Sequence, residues 1–151
     1  MSTPIVIIPC GGAKLATAAP AADLYTGSMF RDALKTARAM TNENNIFILS
    51  ALHGLIALDK IVAPYDVKMG DKNSISTDAL RAQIEQLQEL HTVHTDIHTL
   101  LPRRYFDALW AAVHSVRSRH TSAMVDHFAG TKGIGYQKQR LAQLRSELVV
   151  L

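Results

Sequence analysis

The sequence predicts an α/β fold: a three-layer α/β/α sandwich around a parallel sheet of four to five strands. Short apolar runs alternate along the chain with segments whose apolar residues recur at helical spacing, the order expected of a parallel sheet with crossover helices. Residues 5–8 are apolar at every position, which is typical of a strand covered on both faces. We find no repeat, low-complexity tract or linker in the 151 residues, so we expect one domain over residues 1–151.

The first half of the chain predicts two strands and one helix. The first strand covers residues 5–8 and ends at Pro9. Ser28 is expected to cap a helix that continues to Met40, because apolar residues recur there every three or four positions. Residues 46–50 form the second strand, and residues 51–56 follow at its carboxyl end as a loop. Residues 57–73 show no helical period and predict a long loop, a kind of segment that is often functional.

The second half predicts the remaining elements in the same alternation. A helix is expected over residues 74–89, a strand over 96–101 and a helix that starts at Pro102. A fourth strand over residues 122–128, a glycine-rich turn over 130–135 and a closing helix over about 136–148 complete the order.

Composition limits the protein class and its compartment. A single cysteine excludes an internal disulfide, no run approaches the roughly 20 apolar residues of a membrane span, and no secretion signal is evident, so we expect a cytoplasmic protein without a membrane partner. The net charge is +3, but residues 101–151 carry eight Lys and Arg against three Asp and Glu. This basic end is compatible with nucleic acid, although solvated basic side chains are common on protein surfaces.

The loop after the first strand predicts a ligand site. Gly11 and Gly12 allow the backbone to pass close to a ligand or to adopt a positive φ, and Lys14 places a cation at the carboxyl edge of the sheet. Cys10 is either a thiolate nucleophile or a small half-buried residue. The loop matches neither the phosphate loop of nucleotide hydrolases nor the dinucleotide-binding turn, so its pattern indicates an anionic group without naming one.

Four loops are expected to meet at this edge, which makes their polar residues candidates for a common site. Asp23, Asp66 and His53 are the candidate catalytic residues, as general bases, a proton donor or a group that stabilises positive charge on a sugar. The candidate substrate-binding residues are Cys10, Gly11, Gly12, Lys14, Tyr25, Ser50, Tyr65, Lys132, Gly133 and Gly135. Helix entry, turn formation and packing on the sheet edge are the structural alternatives for the aspartates, tyrosines and histidine.

The histidines do not predict a metal site. His91, His94 and His98 match neither the paired helical histidines of zinc hydrolases nor a zinc finger, and the end of a helix should separate them. We expect neither a metal nor an organic cofactor. No Gly-x-Ser-x-Gly motif is present to mark a serine nucleophile.

Five segments together resemble a family of uncharacterised bacterial and phage proteins related to the YaaA peroxide-stress proteins and, more distantly, to the uracil-DNA-glycosylase-like α/β fold. The segments are residues 9–14, 22–30, 50–56, 64–66 and 133–135. The resemblance covers nearly the whole chain and implies nucleic-acid or nucleobase chemistry, with cleavage of a glycosidic bond as the expected reaction. The water-activating Gly-Gln-Asp-Pro-Tyr loop and the His-Pro-Ser segment of the uracil-specific enzymes are absent.

These observations lead to one leading hypothesis and two alternatives. The leading hypothesis is an N-glycosylase-like hydrolase that acts on a base in DNA or in a nucleotide. Asp23 or Asp66 would orient water or stabilise the positive charge on the sugar. Tyr25 and Tyr65 would hold the base, and Lys14 with the turn at residues 130–135 would bind phosphate. The alternatives are a non-catalytic nucleotide-binding or DNA-binding module that uses the same edge, and a structural or partner-binding protein without a deep pocket.

Overall fold

A five-stranded sheet lies at the centre of the protein. A computed structural model describes residues 4–87, 96–116 and 124–150. The elements in chain order are β1 (Ile5–Pro9), β2 (Ala19–Pro20), α1 (Ala21–Leu24), α2 (Ser28–Met40), a 3-10 turn (Glu43–Asn45), β3 (Ile46–Ser50), β4 (Gly54–Ala57), β5 (Ile61–Val62), α3 (Thr77–Gln86), β6 (Ile97–Thr99), α4 (Arg103–Val116), β7 (Met124–Asp126) and α5 (Ile134–Val150). The sheet order is β4-β3-β1-β6-β7.

Four of the five strands are parallel, as the sequence predicts. β1 pairs with β3 on one side and with β6 on the other, and β6 pairs with β7, all in parallel. Every residue of β1 is buried, in agreement with its continuous apolar run. The carboxyl ends of β1, β3, β6 and β7 therefore reach one edge of the sheet, where the loops that follow them can form a site.

The fifth strand corrects one expectation. Residues 51–56, expected to be a loop, form a turn and then β4, which pairs antiparallel with β3 from Ser50↔Gly54 to Phe47↔Ala57. Gly54 makes the reversal possible, because it adopts a φ of +74°, a conformation that favours glycine. Gln83 of α3 fixes the turn: its amide nitrogen donates to the His53 carbonyl (2.7 Å) and its amide oxygen accepts from Leu55 N–H (2.9 Å).

The remaining boundaries differ from the expected ones by a few residues. The loop after β4 contains the short strand β5, which pairs antiparallel with β2. Helix α2 spans the expected residues, but Gly27 is its N-cap, so the capping role expected for Ser28 is wrong. Ser28 is the first helical residue, and its hydroxyl accepts a hydrogen bond from Lys138 (2.7 Å). Ser76 caps α3 by accepting from Ala79 N–H (3.1 Å).

Helices cover both faces of the sheet and complete the three layers. On one face, Phe30 and Leu34 of α2 and Leu141 of α5 belong to one buried cluster with Val6 and Ile8 of β1. On the other, α3 and α4 pack together over Ile5 and Ile7 of the same strand in a second cluster. The expected α/β sandwich is therefore confirmed. Among the helices of the described residues, none combines the length and the apolar character that crossing a bilayer requires.

Candidate functional site

A cavity of about 480 Å³ lies at the carboxyl edge of the sheet, beside β1. This volume falls in the range of small-molecule sites. Three segments that are remote in sequence line it, namely the loop after β1, the loop after Tyr65 and the start of α4. The lining residues are Cys10, Gly11, Gly12, Lys14, Asp66, Val67, Lys68, Met69, Pro102, Arg103, Arg104 and Tyr105.

Gly12 of the first segment leaves room for a ligand. Neither Gly11 nor Gly12 is among the described residues with a positive φ, so the conformational reason for these glycines that the sequence suggests is wrong. A Cβ built on Gly12 would meet no atom within 4 Å. A side chain at this position would therefore extend into open space at the cavity, and glycine keeps that space free.

Backbone hydrogen bonds and aromatic rings fix Lys14 at the cavity. The chain on either side of Lys14 is bonded to the segment around Tyr25, through Leu15 N–H to the Leu24 carbonyl (2.8 Å) and Thr26 N–H to the Ala13 carbonyl (2.9 Å). The Lys14 ammonium lies 4.5 Å from the centroid of the Tyr65 ring and 5.7 Å from that of Tyr25. The negative faces of the two rings stabilise its charge while it remains at the cavity wall.

A chain of hydroxyl groups holds these two rings. Ser50 Oγ accepts the backbone N–H groups of Leu52 (3.2 Å) and His53 (3.0 Å), so its own proton is free to donate to Tyr65 Oη at 2.7 Å. Tyr65 in turn donates to Tyr25 Oη at 2.6 Å. The two backbone N–H groups of the turn after β3 thus fix the donor and the acceptor of each hydrogen bond from Ser50 through Tyr65 to Tyr25.

Burial raises the pKa of each tyrosine at the site. The pKa of Tyr25 rises to about 12, chiefly because its phenol is desolvated. Burial also raises the pKa of Tyr65 and of Tyr105. The Tyr105 hydroxyl lies 3.4 Å from Cys10 Sγ, across the cavity wall from the hydroxyl chain. All three phenols are therefore neutral hydrogen-bonding groups at neutral pH.

These raised pKa values predict a loss of stability in alkaline solution. In the unfolded chain the tyrosines ionise near pH 10, whereas folding keeps the Tyr25 phenol protonated up to about pH 12. The folded state then binds more protons, so the free energy of unfolding should be unaffected below pH 10 and should fall from there to about pH 12.

Urea unfolding at a series of pH values measures this dependence. Tyr136→Phe is the control, because it removes an exposed phenol outside the hydroxyl chain. Its free energy of unfolding should therefore show the same dependence on pH as that of the parent protein. A free energy of unfolding that stays constant between about pH 9 and pH 11 would contradict the prediction.

The charge of the cavity wall is mainly positive. Lys14, Lys68, Arg103 and Arg104 face one acidic side chain, Asp66, among the lining residues. Arg103 is partly neutralised, because its guanidinium pairs with Asp126 at 2.9 Å and with Asp107 at 3.5 Å. The remaining cations favour an anionic ligand, which would bring its negative charge close to the carboxylate of Asp66.

The structure separates the two candidate aspartates and places His53 beside the site. Asp66 lines the cavity, whereas Asp23 is an exposed residue of α1 and does not line it. The His53 ring contacts Tyr65 edge-on at 5.3 Å between centroids. Burial and then the charge of Lys60 lower the pKa of His53, which favours the neutral imidazole over the imidazolium that a proton donor needs.

Other predicted binding residues lie away from the cavity or are inaccessible. Lys132, Gly133 and Gly135 belong to the turn after β7 and the start of α5, and none of them lines this cavity. Tyr25 is fully buried and stacks on Phe30 at 4.9 Å between centroids. Its ring therefore has no free face for a base, and the stacking role expected for it is wrong.

Sequence reasoning missed the third wall of the cavity. Arg103 and Arg104 entered only the charge count, and Tyr105 was simply part of the helix predicted to start at Pro102. The three residues follow closely on the strand that ends at Thr99. Because the loops after neighbouring parallel strands share one edge of the sheet, this position could have identified them as site candidates.

One histidine of the rejected metal triplet lies in the described part of the chain. His98 Nδ1 lies 2.8 Å from His127 Nε2, and the two rings stack. Burial lowers the pKa of both, that of His127 to about 4. His91 and His94 lie outside the described residues. Within residues 4–87, 96–116 and 124–150, no three His, Cys, Asp or Glu side chains are grouped to hold a metal ion.

Comparison with known proteins places the chain in a family. It is 26% identical over 118 residues to the UPF0246 protein SAG2081 of Streptococcus agalactiae serotype V, covering 76% of this chain and 49% of that protein. It is also 26% identical over 117 residues to the UPF0246 protein gbs2036 of Streptococcus agalactiae serotype III, covering 75% and 48%. The chain thus spans about half the length of these curated relatives. A family model matches residues 5–143 and therefore includes all three walls of the cavity, so the chain belongs to DUF6884, a family of unknown function.

Proposed function

We propose that the cavity binds a nucleotide, free or within DNA, and that the protein hydrolyses its N-glycosidic bond with Asp66 as the catalytic carboxylate. One observation carries the proposal: a single acidic side chain stands among four basic ones in the lining of one cavity. The basic side chains suit phosphate, and the acidic one suits the positive charge that develops on the sugar.

The basic side chains divide into two groups by their availability. Lys14 is held against two aromatic rings, and Lys68 and Arg104 have no ion pair within the described residues, so these three are the proposed phosphate ligands. Arg103 already pairs with Asp107 and Asp126 and is a weaker candidate. Ammonium and guanidinium groups both bind phosphate oxygens well.

The proposed reaction needs a carboxylate and a water molecule. As the bond between the base nitrogen and C1′ breaks, its electron pair leaves with the base and positive charge builds on the sugar ring. The Asp66 carboxylate stabilises this charge and orients water, whose oxygen bonds to C1′ while its proton passes to the base. Because Asp66 is exposed in the free protein, bound substrate must exclude solvent from it for this stabilisation to be strong.

That exposure also favours a second candidate function, a non-catalytic nucleotide-binding or DNA-binding module. A carboxylate that stays solvated contributes little to catalysis, whereas the basic wall binds phosphate in either case. The catalytic proposal takes base cleavage from the sequence resemblance to the uracil-DNA-glycosylase-like fold, and it does not extend to uracil excision, because the motifs of the uracil-specific enzymes are absent.

A release assay tests the catalytic proposal. The protein is incubated with nucleosides, nucleotides, and modified and unmodified DNA, and free base is measured by mass spectrometry. We expect release from at least one of these classes. Binding of nucleotides without release from any of them would support the non-catalytic module instead.

The basic wall predicts a strong salt dependence of DNA binding. Contacts from Lys14, Lys68 and Arg104 to three phosphates would give a slope of about −2.7 for log affinity against log salt on duplex DNA, because each neutralised phosphate contributes about 0.9. Lys14→Ala should reduce the magnitude of the slope by about 0.9. Lys132→Ala is the matched control, since this exposed lysine does not line the cavity. An affinity that does not change with salt would contradict the proposed phosphate contacts.

A further inference from the structure

Helix α4 carries a ladder of π systems on one side. The Arg103 guanidinium lies 5.0 Å from the centroid of Phe106, Phe106 lies 6.1 Å from Trp110, and Trp110 lies 5.3 Å from His114. The two ring pairs are nearly parallel, with interplanar angles of 19° and 18°. The three rings are spaced by four residues, about one helical turn, and the ladder from Arg103 to His114 runs roughly 16 Å along the helix.

The far end of the ladder lies on the solvent side of the helix, whereas Phe106 is half-buried and packs against the core. Leu109, Ala112 and Val113 form the buried side of α4, whereas Trp110 is 45% exposed and His114 is exposed. An indole with almost half of its surface in water adds little to the core. Exposed aromatic surface of this kind marks a binding site more often than a scattered aliphatic residue does.

The ladder begins at the cavity. Arg103 lines the cavity and also stacks on Phe106, so its guanidinium joins the two features. Arg104, the next residue, lines the same wall. Two cations therefore stand where the cavity meets the ladder, so a chain molecule with one unit in the cavity can continue from them onto the rings of α4.

The composition of this face favours a nucleic-acid strand over a protein partner. Trp110 is the one large apolar side chain of α4 that is strongly exposed, and the other four in the described part of the chain lie on other elements. A protein interface would need several apolar neighbours around the indole. Unpaired bases need only a π surface and nearby cations, since every base has a flat face that stacks on an aromatic side chain.

We propose that a single nucleic-acid strand, continuing from a nucleotide held in the cavity, runs along α4 and stacks a flanking base on Trp110. This inference rests on the part of the proposed function that places a nucleotide in the cavity, and it does not require cleavage. It deepens that function by naming the substrate class: an unpaired strand several nucleotides long.

The protein contains a single tryptophan, so its own fluorescence reports on this face. Titration with an oligo(dT) of about twelve nucleotides, within the usual site size for single strands, should quench Trp110. Titration with thymidine monophosphate, which can fill only the cavity, should leave the fluorescence unchanged. Duplex DNA of the same length should quench less, because its bases are already stacked.

Variants test the energetic contribution of the ring. Trp110→Ala should weaken binding of labelled oligo(dT) by about 5- to 100-fold, the effect expected from loss of one stacked base, while Trp110→Phe should retain most of the affinity. Tyr136→Ala is the matched control, because it removes an even more exposed aromatic ring from α5, outside the ladder. Thermal unfolding of each variant checks that the fold is intact.

The outcomes separate this inference from the proposed reaction. Equal oligo(dT) affinity of Trp110→Ala and the parent protein would overturn the inference even if base release is observed. Quenching that follows protein concentration in the absence of nucleic acid would overturn it in favour of a second copy of the chain. Loss of affinity in Trp110→Ala together with no base release from any substrate would support the strand-binding face and reject only the catalytic step.

Discussion

We expect Asp66→Asn to lower the rate of the proposed base release by about 100-fold or more, because it removes a fixed charge from beside the cation that would develop on the sugar once bound substrate covers the site. The substitution keeps the shape of the side chain and removes its charge. Asp66 is the acidic residue of the cavity lining, so no second carboxylate of that lining can replace it. The measurement is the initial rate of base release under the conditions in which the parent protein is active.

Asp23→Asn is the matched control for this prediction. The sequence leaves the two aspartates equivalent, but Asp23 is exposed on α1 and does not line the cavity, so its substitution should leave the rate unchanged. Cys10→Ser should stay within about tenfold of the parent, because the proposed reaction assigns the stabilisation of charge on the sugar to Asp66 and gives Cys10 no part in it. Abolition of activity by Cys10→Ser alone would show a nucleophilic mechanism and reverse the assignment.

Gly54→Ala should lower the free energy of unfolding by about 2–4 kcal/mol, combining the cost of a left-handed backbone in a residue with a Cβ and the loss of two hydrogen bonds. The new Cβ would lie 2.1 Å from Gln83 Oε1 and 2.5 Å from Ile75 Cδ1. Gln83 would have to leave the turn and give up its bonds to His53 and Leu55. Urea unfolding measures the change.

Substitutions at two other glycines separate the cost of backbone strain from the cost of losing the Gln83 hydrogen bonds. Gly130 also has a positive φ, of +78°, but a Cβ there meets nothing within 4 Å, so Gly130→Ala should cost only about 1–2 kcal/mol of strain. Gly135 has neither restriction and lies in α5, so Gly135→Ala should be neutral or stabilise by up to about 1 kcal/mol. In a Gln83→Ala background, Gly54→Ala should cost less than in the parent. Equal effects of Gly54→Ala and Gly130→Ala would contradict the role assigned to Gln83.

The sequence predicts the parallel part of the fold well, because strands that are buried on both faces are continuous apolar runs in the sequence. Residues 5–8 and 46–49 are apolar on both faces, a pattern typical of a strand that is covered on both sides. β4 has a weaker sequence pattern. It is four residues long and follows a three-residue turn, so the sequence alone predicts a loop there. Its identity depends on pairing with β3 and on Gln83, a residue nearly thirty positions away.

The site is only partly predictable, because distances between loops decide it. The strand-to-loop transition at Cys10 identifies one wall, and Asp66 follows from the loop that precedes α3. Nothing local distinguishes Asp66 from Asp23, or an available ring from the buried ring of Tyr25. Tyr105 fits the apolar repeat of α4, and only the neighbouring positions of β1 and β6 in the sheet bring its hydroxyl to Cys10.

Because three segments remote in sequence form the cavity, binding of a ligand there depends on folding of the entire domain. Cys10 and Tyr105 are 95 residues apart in sequence, and Asp66 belongs to a third segment, so no partly folded chain can present the complete site. A ligand that binds only the folded state stabilises it by about 2.7 kcal/mol at one hundred times its dissociation constant. For a domain of this size that corresponds to roughly 5–10 °C in melting temperature. Thermal melting can therefore screen nucleotides and oligonucleotides for the natural ligand before any reaction is known.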